Sequence, residues 1–139
     1  MSSDAFEHIS DPRGVLEVTW RALRSDGRFA ITFGDPWYHP HGSHMQFFTK
    51  LPWVHVLFSE PTIMHVRSRF RDDGATRYGE VRGGLNQMTV RRFVSLITRS
   101  GYRLERLEFQ AIKGLDVLTL VPGLREFMTN RVSALLRTP

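Results

Sequence analysis

Cysteine is absent from the 139 residues, which excludes disulfides and thiol catalysis and is compatible with a reducing compartment. Lysine is scarce: Lys50 and Lys113 are the two, so the 19 basic residues, set against 14 acidic ones, are almost all arginine. The net charge of +5 would suit nucleic acid, anionic lipid or an acidic substrate. The arginines are dispersed, however, as Arg67, Arg69 and Arg71, then Arg91 and Arg92, then Arg99, Arg103 and Arg106. Each group alternates with apolar residues at helix or strand spacing, the pattern of a solvated face, which argues against nucleic acid. No run of ~18 apolar residues occurs and no charged-then-apolar leader opens the chain, so no membrane span is expected and the expected location is the cytoplasm. Repeats and low-complexity segments are also missing, as is any G-x-G.

What is present suits one domain over residues 1–139. Hydrophobic residues make up 41% and charged residues 24%, with ten Phe available for a core. Asp11-Pro12 opens a helix, because Asp caps free N–H groups and Pro fits the first turn. Val15, Leu16, Val18, Trp20 and Leu23 give that helix an apolar side to about Arg24, and Asp26-Gly27 ends it. Arg28 to Phe33 reads as a buried strand. Ser59 or Glu60, before Pro61, starts a helix expected to reach Phe70, and the polar, glycine-rich Arg71 to Gly84 reads as a loop. Thr89 caps an amphipathic helix with Val90, Phe93, Leu96 and Ile97 on one face, ending at Ser100-Gly101. Tyr102 to Ile112 alternates as a strand, with Leu104, Leu107 and Phe109 expected inside. Leu115 to Met128 is apolar with a break at Pro122-Gly123, and Arg131 to Leu136 makes a last strand.

Residues 34–61 stand apart as an insertion. Pro36, Pro40, Pro52 and Pro61 forbid one long helix, though a short one fits His44 to Lys50. Aromatic and histidine residues crowd the rest.

The order helix, strand, insertion, helix, strand, strand resembles the second half of a class I S-adenosylmethionine-dependent methyltransferase. Ser3 to Pro12 (S-D-A-F-E-H-I-S-D-P) resembles the family segment that ends strand four, commonly D-x-x-E-H-x-x-D-P. Leu23 to Phe29 is similar to the L-K-P-G-G-R-L entry to strand five, with Ser25 and Asp26 in place of Pro-Gly. Met88 to Phe93, continued to Gly101-Tyr102, resembles the helix-to-strand-six passage. The resemblance implies an α/β fold: a partial Rossmann-like sheet of about three strands, the region of strands four to seven, lacking the N-terminal cofactor-binding βαβ units. The family's final strand inserts antiparallel beside strand six. Its glycine-rich cofactor loop and the acidic residue ending strand two have no counterpart here, and Gly83-Gly84 follows a polar loop rather than a strand. The implied function is a methyltransferase-like protein or subunit that shapes the acceptor side of an active site. It would be incomplete without a complementary chain or segment that carries the cofactor loop. The alternative is a non-catalytic interaction or dimerisation module that docks through its open sheet edge and aromatic insertion. Both readings lead to an expected oligomer or partner complex, and the first also implies a small-molecule acceptor.

Asp4, Phe6 and Glu7 are the residues the resemblance sets beside S-adenosylmethionine. In ubiquinone-biosynthesis O-methyltransferases a similar E-x-x-E-H segment supplies a divalent metal. Asp4, Glu7 and His8 therefore form a candidate metal set, and two carboxylates with an imidazole suit Mg, Mn or Zn. The competing reading has Glu7-His8 shaping the loop without metal. His39, His41 and His44 form H-x-H-x-x-H, a possible zinc pattern whose geometry Pro40 and Gly42 leave open. Trp37, Tyr38, Phe47, Phe48, Trp53 and His55 are candidate lining for a lid and acceptor pocket, or else a hydrophobic patch against a partner. His8 and His44 are the candidate catalytic residues, since a histidine can act as general base near neutral pH. Asp72-Asp73 with Arg77 reads as a solvated charge loop.

Overall fold

A computed structural model describes residues 5–139. Helix α1 spans Pro12–Ala22, and the Asp11 carboxylate accepts the Gly14 N–H at its start. Strand β1 follows at Arg28–Gly34. Two short helices lie in and after the insertion, α2 at Val54–Leu57 and α3 at Glu60–Arg67. Helix α4 covers Val90–Thr98, with the Thr89 hydroxyl accepting the Arg92 N–H. Strand β2 is Arg103–Ala111, helix α5 is Pro122–Met128 and strand β3 is Thr129–Arg137. Single 3₁₀ turns occupy Phe6–His8, Tyr78–Glu80 and Asp116–Leu120. Among the described residues no helix is long and apolar enough to cross a membrane.

The three strands form one sheet in the order β1-β3-β2, with β3 in the middle and antiparallel to both neighbours. The expected antiparallel last strand is therefore present. Register aligns Phe29 with Leu136, Ile31 with Ala134 and Phe33 with Val132, and these side chains share one face. Helices α1 and α4 bring Leu16, Val90, Phe93 and Ile97 to that face, where Phe6 joins them. Phe93 meets the edge of Phe33 at 4.9 Å and of Phe6 at 5.5 Å between ring centroids. Each such side chain, removed from water, contributes roughly 1.5–3 kcal/mol. The opposite face carries Arg28, Thr32, Ser133, Arg106 and Glu108, so the sheet is covered on one side and polar on the other.

Several boundaries differ from the sequence reading. His44 to Lys50 forms turns rather than a helix, and the short helix comes later, at Val54. Helix α3 stops at Arg67, where the Ser68 hydroxyl donates to the His65 carbonyl. Leu104 is exposed instead of inside: the register shift between Leu104 and Arg106 sets it opposite the buried Leu136, but it lies near the end of an edge strand. Pro122 begins α5, since its missing N–H costs nothing in a first turn. Strand β3 begins two residues earlier than expected, at Thr129, whose hydroxyl donates to the Arg125 carbonyl and leads directly out of α5.

A second core lies within residues 45–85, built from Met45, Val54, Ile63, Met64, Ala75, Tyr78, Val81 and Leu85. It joins the sheet core through backbone contacts. Trp37 N–H donates to the Met88 carbonyl at 2.7 Å, and Asn86 N–H donates to the Glu7 carbonyl at 2.9 Å.

Candidate active site

A cavity of about 390 Å³ opens where the 3₁₀ turn of His8 meets the insertion and the loop after α3. His8, Ser43, His44, Phe47, Arg67, Arg71, Asp72, Asp73, Arg82 and Gly84 line it. Three segments far apart in sequence thus converge there.

His8 is held by the Gly83-Gly84 loop. Its Nδ1 lies 2.8 Å from the Gly84 carbonyl oxygen, so Nδ1 carries the hydrogen and Nε2 is left with a lone pair or a second proton. Gly84 has φ +68°, and a Cβ there would lie 3.1 Å from the His8 carbonyl oxygen, so glycine permits this approach. The Asn86 side-chain amide fastens the same join by donating to the carbonyls of Phe6 at 2.8 Å and Ile9 at 2.7 Å.

His44 meets His8 edge to face, with ring centroids 5.4 Å apart. Its Nε2 is buried and has no hydrogen-bond partner among the described residues. Its backbone sits in the left-handed region at φ 56°, which costs a non-glycine residue roughly 1–2 kcal/mol. Gly42 lets the chain reach it, because a Cβ at Gly42 would fall 2.4 Å from the Trp37 carbonyl oxygen. Burial lowers the His44 pKa, and the nearby His8 lowers it further against an opposing pull from Asp35. His44 is therefore a neutral imidazole at neutral pH.

Arg67 and Asp73 close one wall as a bidentate pair, with both N···O distances 2.6 Å. Arg67 is buried, and its guanidinium holds the Asp73 carboxyl far below the usual carboxylate range. The backbone N–H of Ala75 also donates to Asp73. The Arg71 guanidinium lies 4.6 Å from the centroid of the Phe47 ring.

Of the residues singled out from sequence, His8, His44 and Phe47 line this cavity, and Glu7 lies beside it with Oε1 3.9 Å from His8 Nε2. Asp4 falls outside the described residues. Phe6 is fully buried in the sheet core. Trp37 and Phe48 pack against the second core instead, with His55 against Trp37 and Trp53 just ahead of α2. Trp37 packs on His55 at 4.6 Å and on Tyr78 at 4.9 Å, and Phe48 stacks on Phe70. His55 Nε2 donates to the Trp37 carbonyl at 2.5 Å, and Trp53 Nε1 donates to that of Tyr38 at 2.9 Å. Tyr38 itself packs on Phe127. His39 Nδ1 accepts the His41 N–H, and among the described residues no group of three or more His, Asp or Glu side chains is placed to hold a metal.

Arg67, Arg71, Arg82 and Gly84 were not marked as site residues by the sequence. The acid-rich loop was visible, but Asp73 pairs with Arg67 across a turn of backbone rather than with Arg77. The glycine pair was also visible, and only its distance from His8 in the fold shows its use.

No family model matches this chain, and neither does any curated protein. Among solved structures the chain is similar to an S-adenosylmethionine-dependent methyltransferase from Mesorhizobium loti, with a TM-score of 0.53 and 18% sequence identity. The superposition covers 98% of this chain and 59% of that one, so the chain spans about three-fifths of that structure's length. The α/β arrangement described above is thus a fold shared with a methyltransferase.

Proposed function

We propose that the chain forms the acceptor side of a methyltransferase site, with His44 as the base. The observation that carries this is the buried Nε2 of His44, without a hydrogen-bond partner among the described residues, on a residue that lines a cavity of about 390 Å³. A neutral imidazole with a free lone pair takes a hydrogen bond, and then a proton, from an acceptor O–H or N–H. His8, fixed through Nδ1 by Gly84, supports the His44 ring edge to face at the wall of the cavity. Phe47 supplies a ring face for the acceptor to lie against.

The described residues do not fit S-adenosylmethionine by themselves. Phe6 is sealed in the sheet core, and Gly83 and Gly84 approach His8 rather than following a strand. A divalent metal finds no cluster among the described residues either. In this reading the cofactor is held by a complementary chain or segment, and this chain binds, orients and deprotonates the acceptor.

The test is calorimetric titration of the purified chain with S-adenosylhomocysteine and with phenol, followed by nitrogen-detected NMR of the histidines. The expected result is no binding of S-adenosylhomocysteine, and a phenol-dependent shift of His44 Nε2 that is lost in His44→Asn. Asn tolerates the left-handed backbone, so that variant keeps the fold. Micromolar binding of S-adenosylhomocysteine would overturn the half-site reading, and an unmoved His44 would overturn the base.

One observation favours the interaction-module reading. Val56, Leu57 and Phe58 are all exposed on and after α2, an apolar run of the kind that marks contact surfaces. A solution mass above the monomer that falls on Leu57→Glu, with the histidine signals unchanged, would favour it.

A further inference from the structure

We propose that the cavity selects a small acceptor carrying a singly charged oxyanion, a carboxylate in the first place, held by the guanidinium groups of Arg71 and Arg82. This inference rests on the reading of the cavity as an acceptor site and names its substrate class.

Several other arginines are engaged by carboxylates. Arg13 pairs with Glu17, Arg28 with Glu105, Arg106 with Glu108 and Arg137 with Asp26. Inside the cavity Arg67 is committed to Asp73 through two hydrogen bonds. Arg71 and Arg82 line the same cavity, and neither pairs with a carboxylate among the described residues, although Asp72 also lines it. The wall therefore bears three guanidinium groups and two carboxylates, which leaves one positive charge in excess. A concave wall with such an imbalance concentrates a counter-charge, and the match is a monoanion.

The shape points the same way. Arg71 rests over the Phe47 ring, so its guanidinium plane is steadied by an aromatic face while its N–H edge stays available. A guanidinium presents paired N–H donors that fit the two oxygens of a carboxylate. The anion site and His44 share one cavity, so an acceptor held at Arg71 and Arg82 by its acid presents its remaining atoms toward the imidazole.

The experiment uses three probes of nearly equal shape: benzoate, its neutral isostere benzamide, and phenyl phosphate. Binding to the full chain is followed by calorimetry and by NMR of the histidines. Benzoate is expected to bind at least tenfold more tightly than benzamide. Arg71→Gln and Arg82→Gln are each expected to weaken benzoate about tenfold or more while leaving benzamide unchanged, and Arg71→Lys is expected to restore part of the loss. Both arginines are exposed, so these variants keep the fold. Equal binding of benzoate and benzamide would overturn the proposal, as would loss of benzoate binding in neither variant. Tighter binding of phenyl phosphate than of benzoate would overturn the carboxylate assignment and give the site to a phosphate ester. The two readings separate cleanly. Arginine-dependent benzoate binding in a protein whose His44 ignores phenol keeps the anion site and removes the base. A His44 response to phenol with no preference for benzoate does the reverse.

Discussion

The core beneath the sheet and the core inside residues 45–85 reach similar depth. Phe33 and Phe93 are fully buried in the first, and Met64 and Tyr78 are 3% and 2% exposed in the second. They differ in what fixes them. The first is set by periodic apolar faces on α1, α4, β1 and β3, whose backbone groups are satisfied within the elements themselves. The second has little regular structure and is fixed by single polar contacts: Arg67 on Asp73, His55 on the Trp37 carbonyl, Trp53 on the Tyr38 carbonyl, and Glu60 on the Tyr78 N–H at 2.6 Å. It also holds three non-glycine residues, Asp35, His44 and Trp53, at positive φ in the segment that leads into it. Burial of apolar area is indifferent to direction, whereas these contacts specify positions, and the candidate site lies against the second core.

The largest effect should come from the first core. Phe93→Ala removes the ring that joins β1, α4 and the Phe6 turn, and it is expected to cost about 3–5 kcal/mol. Denaturant unfolding would read this as one cooperative loss, with Trp20 in the first region and Trp37 and Trp53 in the second reporting the same midpoint. Separate midpoints would show that the second core stands without the sheet, which its dependence on the Trp37 and Asn86 backbone joins argues against.

Legibility followed the same division. The caps at Asp11-Pro12 and Thr89 and the β-rich run from Arg28 to Phe33 are local patterns, and the structure contains each of them; the antiparallel last strand, which the resemblance implied, is there too. The errors in the ordered part were of boundary, as at Thr129, or of burial near the end of an edge strand, as at Leu104. In the second region the sequence showed which residue types were present and not which of them meet. Trp37 and His55 looked like pocket lining because both are amphipathic, yet a segment poor in aliphatic residues needs them for its own interior. Glu126 is a similar case, since it caps α4 by accepting the Val90 and Arg91 N–H groups from 35 and 36 residues away. His8 and Gly84 lie 76 residues apart, and no spacing rule relates them.

A smaller effect should separate the regions by pH. His39, His44 and His55 all belong to the second region, and burial is the leading cause that lowers the pKa of each. Around them stand Asp35, His8 and His41, with the Asp35 carboxylate pulling upward on His39 and His44, as does the Trp37 carbonyl on His55. A folded-state pKa below the unfolded value means that the open form takes up protons first on acidification. Stability is therefore flat above the ordinary imidazole value near 6.5 and falls as pH drops below it. The slope is at most about 1.4 kcal/mol per pH unit for each imidazole. Hydrogen-exchange protection of residues 54–88 is expected to fall at a higher pH than that of β1 and β3. Simultaneous loss in both regions would remove the distinction drawn between them.

The smallest effect has the opposite sign. Tyr78 is 2% exposed, its hydroxyl has no hydrogen-bond partner among the described residues, and burial together with the Glu60 carboxylate pushes its pKa well above the ordinary phenol value. A buried hydroxyl left unpaired costs roughly 1–3 kcal/mol, while an apolar replacement of the same shape is close to neutral or favourable. Tyr78→Phe keeps the ring against Trp37 and leaves the Glu60 contact untouched, because that contact is to the backbone N–H. The variant is expected to gain up to about 1 kcal/mol in denaturant unfolding, with the cavity and its arginines unchanged. A loss of stability instead would mean that the hydroxyl is paired through water, and that the second core is specified by one more polar contact than its protein atoms show.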